Sequence, residues 1–227
     1  ERNCQVEIKV SNICKSYRKK QVLNNVSFNA QSGMCIGIIG ANGSGKSTLL
    51  NILSGVSKAN SGEFLCDNVN MLKNSKVRNA VLGYVPQGTP LIEELTAYDN
   101  LRMWYKKADL KAELQSGVLN VLGINDFLKK PVSKLSGGMK KRLSIGCAVA
   151  GRPGIILLDE PTAALDLVCK ENIYDYLRAF KSAGGIIIIA THEIQEIELC
   201  DSLYILKGGC LSPFEFDGNI RRVISSL

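Results

Sequence analysis

The chain has 227 residues, of which 45% are apolar, and its 28 Lys and Arg against 21 Asp and Glu give a net charge of +7. This much apolar sequence can bury the core of one large domain, so an intrinsically disordered chain is excluded. The longest apolar run, five residues at 186–190, falls far short of the roughly 18 to 20 residues that span a bilayer, and we predict that the chain does not cross a membrane.

Cysteine usage, charge and the first residue set further bounds. The eight cysteines occur singly beside one histidine, so no zinc site is predicted and we expect small buried thiols in a reducing cytosol. Basic clusters stand at 18–20, 106–107, 129–130 and 140–142. We interpret them as solvated charge, the alternative being a surface for anionic lipid or nucleic acid. No signal peptide is visible, and a start at Glu1 rather than Met leaves open that the sequence is a piece of a longer one.

The first thirty residues have the alternation of antiparallel strands. Val6, Ile8 and Val10 share one face, and Val26 and Phe28 repeat the pattern after the turn at "RKKQ". A small antiparallel sheet is therefore predicted ahead of the first glycine loop.

The next segment predicts a strand, a glycine loop and a helix. The strand "MCIGII" runs into Gly40, "KSTLLNILSGV" has a helical pattern, and residues 40–47 between them fit G-x-x-x-x-G-K-[ST]. Backbone N–H groups of such a loop point at phosphate oxygens, and the helix N-terminus adds partial positive charge. Lys46 is predicted to contact the β- and γ-phosphates and Ser47 to bind Mg²⁺.

Further short apolar runs predict the rest of the main sheet. They lie at Val81–Val85, Ile155–Leu158 and Ile186–Ala190, with a fifth strand at 203–206. Strands separated by helices favour an α/β core with a mostly parallel sheet.

The stretch between Gln87 and Ser136 has helical patterns and no convincing strand. We predict one domain over 1–227, in which a helical subdomain at about 88–150 is inserted into the α/β core. After Asp166 an amphipathic helix is predicted, ending at Gly184-Gly185.

The segment "IILLDEP" places two carboxylates at the tip of a strand, because Pro161 ends it. Side chains of adjacent strand residues point to opposite sides. We therefore predict that Asp159 faces Mg²⁺ through water and that Glu160 faces an attacking water.

His192 follows the strand at 186–190, at a strand end of the kind where α/β sheets bind ligands. Beside the phosphate loop and the carboxylates, we interpret it as a γ-phosphate contact.

Ser136-Gly137-Gly138 begins a helix predicted to end near Gly151, and its N–H groups and dipole predict a second anion site. An ordinary serine N-cap is the alternative.

In this order the segments resemble the ATP-binding cassette (ABC) ATPases, from about residue 6 to 208. "GANGSGKST" resembles the Walker A loop, "YVPQ" the Q-loop, "LSGGM" the family signature, "IILLDE" Walker B, "AALD" the D-loop and "TH" the switch histidine. Tyr17 resembles the aromatic residue that stacks on adenine. Met139 stands where the signature often has Gln, and Ala164 where the D-loop often has Ser.

The resemblance implies a P-loop NTPase fold with an N-terminal antiparallel β-subdomain, and ATP and Mg²⁺ as ligands. The implied catalytic residues are Glu160, His192, Gln87 and Lys46. The implied nucleotide-binding residues are Tyr17, Val22, Gly40, Asn42, Gly43, Ser44, Gly45, Lys46, Ser47, Thr48, Ser136, Gly137 and Gly138. Mg²⁺ is expected at Ser47, Gln87 and Asp159.

The resemblance also implies why two glycine sites occur on one chain. In the family the signature closes over the ATP of a second, head-to-tail nucleotide domain. The expected partners are a second ABC domain, as homo- or heterodimer, and transmembrane permease subunits or domains, with this chain on the cytoplasmic face of a membrane and no direct nucleic-acid contact. The compact "LSGGM" cassette favours the exporter type.

Other classes are less consistent with the motifs. A soluble ABC ATPase acting on nucleic acid or the ribosome is the alternative, although the coiled-coil or zinc-bearing insertions usual there are not visible. A GTPase would need a guanine motif such as N-K-x-D, and a kinase an acceptor site and a lid. A module that binds nucleotide without turnover is disfavoured by Glu160 and His192.

Overall fold

The computed structural model of this chain describes residues 6–226, without the side chains of residues 220, 224 and 226. The elements, in chain order, are β1 (Glu7–Tyr17), β2 (Lys20–Gln31), β3 (Cys35–Ile39), α1 (Lys46–Ser54), β4 (Ser61–Cys66), β5 (Val69–Asn70), α2 (Ser75–Val81), β6 (Leu82–Val85), α3 (Ala97–Arg102), α4 (Lys107–Ser116), α5 (Val118–Val121), two 3₁₀ turns (Ile124–Phe127 and Val132–Lys134), α6 (Gly137–Ala148), β7 (Ile155–Asp159), α7 (Leu167–Ser182), β8 (Ile186–Ala190), α8 (Ile194–Leu199), β9 (Ser202–Lys207), β10 (Cys210–Phe214) and α9 (Ile220–Ser226).

An antiparallel sheet with the order β2-β1-β4-β5 forms from the N-terminal part. Ile8, Val10, Val26 and Phe28 are all buried on it, which confirms the predicted sheet. Strands β4 and β5 were not predicted. The alternation of apolar and polar residues is weak in both strands, because β4 begins with the polar segment around Gly62 and β5 has only two residues.

The main sheet has the order β10-β9-β3-β8-β7-β6, in which only β10 is antiparallel to its neighbour. Every residue of β3, β7 and β8 is buried. Both faces of this sheet are covered, since Ile155 and Leu157 belong to one apolar core and Ile156 and Leu158 to another. The predicted mostly parallel α/β core is confirmed.

The first core lies between the two sheets around α1, which contributes Leu49, Leu50, Ile52 and Leu53. The second lies on the other face of the main sheet, under helices α3 to α7. Each fully buried Leu or Ile of this kind stabilises the fold by about 1.5–3 kcal/mol. The two cores hold the loops at the strand ends on a rigid base.

One strand boundary differs from its prediction. Val81 ends α2 instead of beginning a strand, and β6 starts at Leu82. The helix is capped by Asn74, whose side chain accepts a hydrogen bond from the Val77 N–H, and it runs directly into the strand. The apolar run at Val81–Val85 is therefore divided between a helix and a strand. Periodicity alone does not locate the boundary between them.

The basic cluster at 140–142 is not solvated as predicted. Lys141 and Arg142 are buried, with 5% and 7% of their surface exposed. Arg142 donates to the carbonyl of Leu122 at 2.9 Å and lies over the ring of Phe127. Backbone carbonyls and an aromatic face thus replace water around these cations.

The thiols and the C-terminal segment also depart from expectation. Cys35, Cys66 and Cys169 are buried as predicted, whereas Cys210 is exposed and Cys4 lies outside the described residues.

The segment after 209, for which no structure was predicted, pairs as β10 with β9 and continues into α9. Within residues 6–226, none of the helices combines the length and apolarity needed to cross a bilayer.

Candidate functional site

Four neighbouring parallel strands deliver the predicted site residues to one edge of the main sheet. In the order β3-β8-β7-β6, the phosphate loop follows β3, His192 follows β8, Asp159 ends β7, and Gln87 follows β6 by two residues. The carboxyl ends of parallel strands are where open α/β sheets form ligand crevices. Residues far apart in sequence therefore meet because of strand order.

A cleft of about 420 Å³ opens at this edge. Its lining residues are Tyr17, Val22, Asn42, Gly43, Gly45, Lys46, Ser47, Thr48, Gln87, Glu160 and His192. All of them are among the residues that the sequence predicted. The cleft thus joins the phosphate loop to the side chains expected around an attacking water.

The phosphate loop needs glycine at two positions for different reasons. Gly45 caps α1 with φ 112°, in the left-handed region, and supplies no capping side chain to the helix N–H groups. At Gly40, a Cβ would lie 2.6 Å from the Leu206 carbonyl oxygen, so a side chain there would push the loop off the sheet. The buried Lys46 ammonium lies over the loop and donates to the Gly40 carbonyl at 2.7 Å.

Asp159 and Ser47 form an oxygen pair beside the loop. Burial raises the pKa of the Asp159 carboxyl, against a hydrogen bond from Ser47 that lowers it. Asp159 is 2% exposed, and its Oδ1 is buried without a hydrogen-bond partner in the described part of the chain. An orphaned carboxylate oxygen next to a serine hydroxyl fits a hard divalent cation such as Mg²⁺, which prefers oxygen ligands.

Glu160 is the point where three predicted residues converge. Its Oε2 accepts a hydrogen bond from Gln87 Nε2 at 2.9 Å, and its Oε1 lies 3.5 Å from His192 Nδ1 and 3.9 Å from Lys46 Nζ. The side chain is 11% exposed. Such an enclosed carboxylate with donors on several sides can hold and deprotonate a water.

The orientation of Glu160 does not arise from strand alternation as predicted. β7 ends at Asp159, and Glu160 has φ 48°, in the left-handed region that a non-glycine residue rarely adopts. This turn directs its side chain into the cleft, towards the same loop that Asp159 faces. Strained backbone of this kind marks a position that the surrounding structure holds in place.

Tyr17 lies at the outer end of the cleft. The residue is 49% exposed, and Lys15 Nζ lies 4.8 Å from the ring centroid. An open aromatic face beside Val22 is suited to stacking on a flat, apolar group.

The segment Ser136-Gly137-Gly138 begins α6 and does not line the cleft of the same chain. Ser136 acts as the N-cap, with its Oγ accepting from the Met139 N–H at 3.3 Å. Ser136 and Gly137 are exposed, whereas Gly138 is buried. The N-cap is therefore present, and the exposed helix start lies outside the lining of the cleft around Glu160.

Sequence reasoning missed a buried network behind the cleft. Thr162 donates to Glu196 Oε1 at 2.5 Å and shares a hydrogen bond with Tyr174 at 3.2 Å. Glu196 is fully buried, and burial raises the pKa of its carboxyl. Nothing in "IQEIEL" signals this, because a glutamate in an amphipathic helix is ordinarily exposed. The network ties the turn after Glu160 to the helix that follows His192.

A second missed residue is Lys141, which the sequence places in a basic cluster. Its ammonium donates to the carbonyls of Pro86 at 3.0 Å and Gln87 at 2.9 Å. It therefore connects α6 to the segment that carries Gln87 into the cleft.

Known proteins are similar to this chain in sequence. The family model "ABC transporter" matches residues 23–163. The lantibiotic transport ATP-binding protein SrtF of Streptococcus pyogenes is 33% identical over 214 residues, which cover 93% of this chain and 92% of that protein. The Nod factor export ATP-binding protein I of Sinorhizobium fredii is 34% identical over 209 residues, which cover 90% of this chain and 61% of that protein.

A solved structure agrees in fold. The dimeric ATP-binding cassette MJ0796, in a post-hydrolysis state bound to ADP and Pi, superposes with a TM-score of 0.81 at 30% identity and covers 92% of this chain and 99% of its own. The parallel sheet, the phosphate loop and the carboxylates at the end of β7 thus occur within a fold and a sequence pattern shared along most of the chain. The chain belongs to the ABC transporter family of ATP-binding proteins.

Proposed function

We propose that this chain hydrolyses ATP to ADP and phosphate as the nucleotide-binding subunit or domain of an ABC transporter. Substitution of Glu160 tests this proposal most directly. The observation that carries the proposal is the convergence of Gln87, His192 and Lys46 on the Glu160 carboxylate, at the mouth of a glycine loop. We further propose one domain over 1–227, with a helical subdomain at 88–150 that moves against the α/β core.

ATP would lie along the cleft with its adenine on the Tyr17 ring and its phosphates in the loop 40–48. The N–H groups of the loop and the start of α1 would hold the phosphate oxygens. Lys46, whose ammonium already lies over the loop, would exchange the Gly40 carbonyl for β- and γ-phosphate oxygens. Asn42, Gly43 and Thr48 line the same wall of the cleft.

Ser47, Asp159 and Gln87 would hold Mg²⁺, which when bound neutralises phosphate charge. The orphaned Asp159 Oδ1 and the adjacent Ser47 hydroxyl support this assignment.

Glu160 would act as the general base. A water placed between its carboxylate and the γ-phosphate would be oriented by the Gln87 amide, which already contacts Glu160, and by His192 on the other side. Low exposure of the carboxylate keeps bulk water from competing for the same hydrogen bonds.

The signature segment would serve a second nucleotide domain. Ser136 and Gly137 are exposed and lie outside the cleft of their own chain, so they are available to close over the nucleotide of a head-to-tail partner. The dimeric state of the similar cassette MJ0796 supports this assembly. ATP would then be bound between two chains and hydrolysis would release them.

The membrane partner would contact the helical subdomain. Ile92, Met103 and Trp104 expose 44%, 52% and 64% of their surface. Met103 and Trp104 follow α3 directly, and the buried Asn100 of this helix exchanges hydrogen bonds with the backbone of Ile92 and accepts one from the Met103 N–H. Exposed apolar side chains in the helical subdomain that follows Gln87 in the chain are suited to contact a transmembrane partner on the cytoplasmic face. The transport and export functions of the two relatives support the exporter type.

Catalysis and assembly are tested with Glu160→Gln. We expect the wild type to release phosphate from ATP only with Mg²⁺, and Glu160→Gln to bind ATP, lose turnover by about 100-fold or more, and sediment as a dimer with saturating Mg-ATP. Glu198→Gln, which changes an exposed carboxylate on α8, is the matched control and should behave as wild type. A Glu160→Gln protein that stays monomeric would contradict the head-to-tail proposal.

Membrane coupling is tested in cells with the full-length native protein. Trp104→Glu should release the protein from the membrane fraction, because a charge replaces an apolar contact, while its ATP binding stays unchanged. Val121→Glu, at an exposed apolar position on α5, is the control and should remain bound. Equal membrane retention of all three proteins would refute this docking surface.

A further inference from the structure

Lys141 is a buried cation that the proposed reaction does not use. It lies on α6, one turn after the exposed signature start, with 5% of its surface exposed. Its ammonium donates to the main-chain carbonyls of Pro86 and Gln87, at 3.0 and 2.9 Å. These contacts join residues 54 and 55 positions apart in sequence.

Burial of Lys141 is costly and is balanced by its surroundings. Burial lowers the pKa of its ammonium, while the charges of Asp159, Glu160 and Glu196 act in the opposite direction. A buried ammonium is stable only where acceptors are positioned for it, so its two carbonyl contacts specify one geometry. Replacing it with an apolar side chain would leave both carbonyls without this donor.

The carbonyl of Gln87 that Lys141 holds belongs to the residue whose side chain reaches the catalytic carboxylate. Gln87 Nε2 donates to Glu160 Oε2 at 2.9 Å. A continuous path of hydrogen bonds therefore runs from α6 through Lys141 and Gln87 to Glu160. This path does not follow the chain, because α3, α4 and α5 lie between Gln87 and α6 in the sequence.

We propose that Lys141 is a positioning residue that couples the signature helix to the hydrolytic carboxylate of its own chain through Gln87. The inference rests on the proposed function, in which the start of α6 closes over the nucleotide of a partner. Binding of the start of α6 to that nucleotide would fix the position of Lys141. Lys141 would in turn hold Gln87 in position to contact Glu160. Each chain would then reach its full kcat only when its signature is engaged with the other nucleotide.

The test is a double-mutant cycle on turnover with Lys141→Met and Gln87→Ala. Methionine keeps the length and apolar stem of lysine and removes its donors. We expect Lys141→Met to lower kcat about tenfold with KM for ATP within about twofold, because misplacement of a positioned group affects the transition state more than ground-state binding. In the Gln87→Ala background, Lys141→Met should cause no further loss of kcat, since its effect passes through Gln87.

The control is Lys140→Met, on the same helix, whose ammonium pairs with Glu93 at 2.7 Å instead of with Gln87. It should leave kcat unchanged. Where Lys141→Met fails to fold by its thermal transition, the same cycle is run with Lys141→Arg, which keeps the charge and donors in a different geometry. Losses of kcat that multiply in the double variant would overturn the proposal.

A separate measurement distinguishes coupling from simple support of α6. In the Glu160→Gln background, Lys141→Met should still form the Mg-ATP dimer, because assembly uses the signature start and not the path to Glu160. Loss of that dimer would show that Lys141 merely holds the helix in place and would also overturn the inference. A wild type without ATPase activity or a Glu160→Gln protein without a dimer would instead defeat the proposed function itself.

Discussion

Two glycine-bearing helix starts in this molecule have opposite surroundings. The loop 40–48 opens into a cleft where Gln87, Glu160 and His192 of the same chain converge. The start of α6 has an exposed Ser136 and Gly137, and the cleft that gathers the catalytic groups does not include it. One start thus lies among ionisable side chains of its own chain, and the other is open to a partner. The difference supports the proposal that a nucleotide site of this protein is completed by a second copy of the fold.

The sharpest contrast is expected from Lys46→Ala, which removes the one lysine or arginine that lines the cleft among the residues that the structure describes. The affinity for ATP should fall on the order of 100-fold, because the phosphates lose a charge-assisted contact with a buried ammonium. Isothermal titration with Mg-ATP measures this. Lys140→Ala, on the signature helix, is the control, and unchanged affinity in Lys46→Ala would contradict the loop assignment.

Ser136→Arg addresses the other helix start. ATP affinity should stay within about twofold of wild type, because Ser136 is outside the cleft of its own chain, while turnover should fall at least about tenfold as the bulky cation blocks the partner's nucleotide. Full turnover in this variant would remove the signature from the mechanism.

Mixing the two variants sharpens that comparison. A mixed dimer pairs the intact loop of the Ser136→Arg chain with the intact signature of the Lys46→Ala chain. Activity restored above that of either variant alone, up to a limit of about a quarter of wild type, would demonstrate head-to-tail sites, because half of the randomly formed dimers are mixed and each has one intact site. Coupling through Lys141 would keep the activity below that limit, since the Ser136→Arg signature of the active chain engages no nucleotide.

A pair of glycine substitutions separates packing from recognition within the signature. A Cβ at Gly138 would lie 2.4 Å from Cys169 Sγ, whereas Gly137 has open space around it. Gly138→Ala should therefore lower the free energy of unfolding by about 1–3 kcal/mol through overpacking against α7. Gly137→Ala should change it by less than about 1 kcal/mol. Urea unfolding of both variants measures the difference, and equal destabilisation would contradict this division of roles.

The same contrast explains what sequence could and could not predict. The loop 40–48 and the tip of β7 were predicted because their chemistry depends on residues at fixed short spacings. Strand β8 was predicted to the residue because a strand covered on both faces is a continuous apolar run. Lys141 and Arg142 were wrongly predicted to be solvated, because the carbonyls that accept hydrogen bonds from them belong to residues 20 to 55 positions away. Contacts of that span are set by tertiary packing and leave no local pattern.

The smallest expected effect concerns the buried network that supports the cleft. Burial raises the pKa of the Glu196 carboxyl in the folded chain above its ordinary value of 4.5, against the hydrogen bond from Thr162. Between these two values the folded state binds more protons than the unfolded state, so stability from Glu196 is present below the unfolded value and is lost as the pH rises through the folded one.

Glu196→Gln removes this ionisation and keeps an oxygen that accepts from Thr162. Its thermal transition, relative to wild type, should therefore be more favourable at pH 8 than at pH 5. Glu198→Gln, at an exposed position on the same helix, should show no such pH-dependent difference. A Glu196→Gln advantage that is equal at both pH values would mean that Glu196 is ionised to the same extent in the folded and unfolded chains. The Thr162–Glu196 contact would then be an ordinary charged hydrogen bond, and the support of the cleft would be independent of pH.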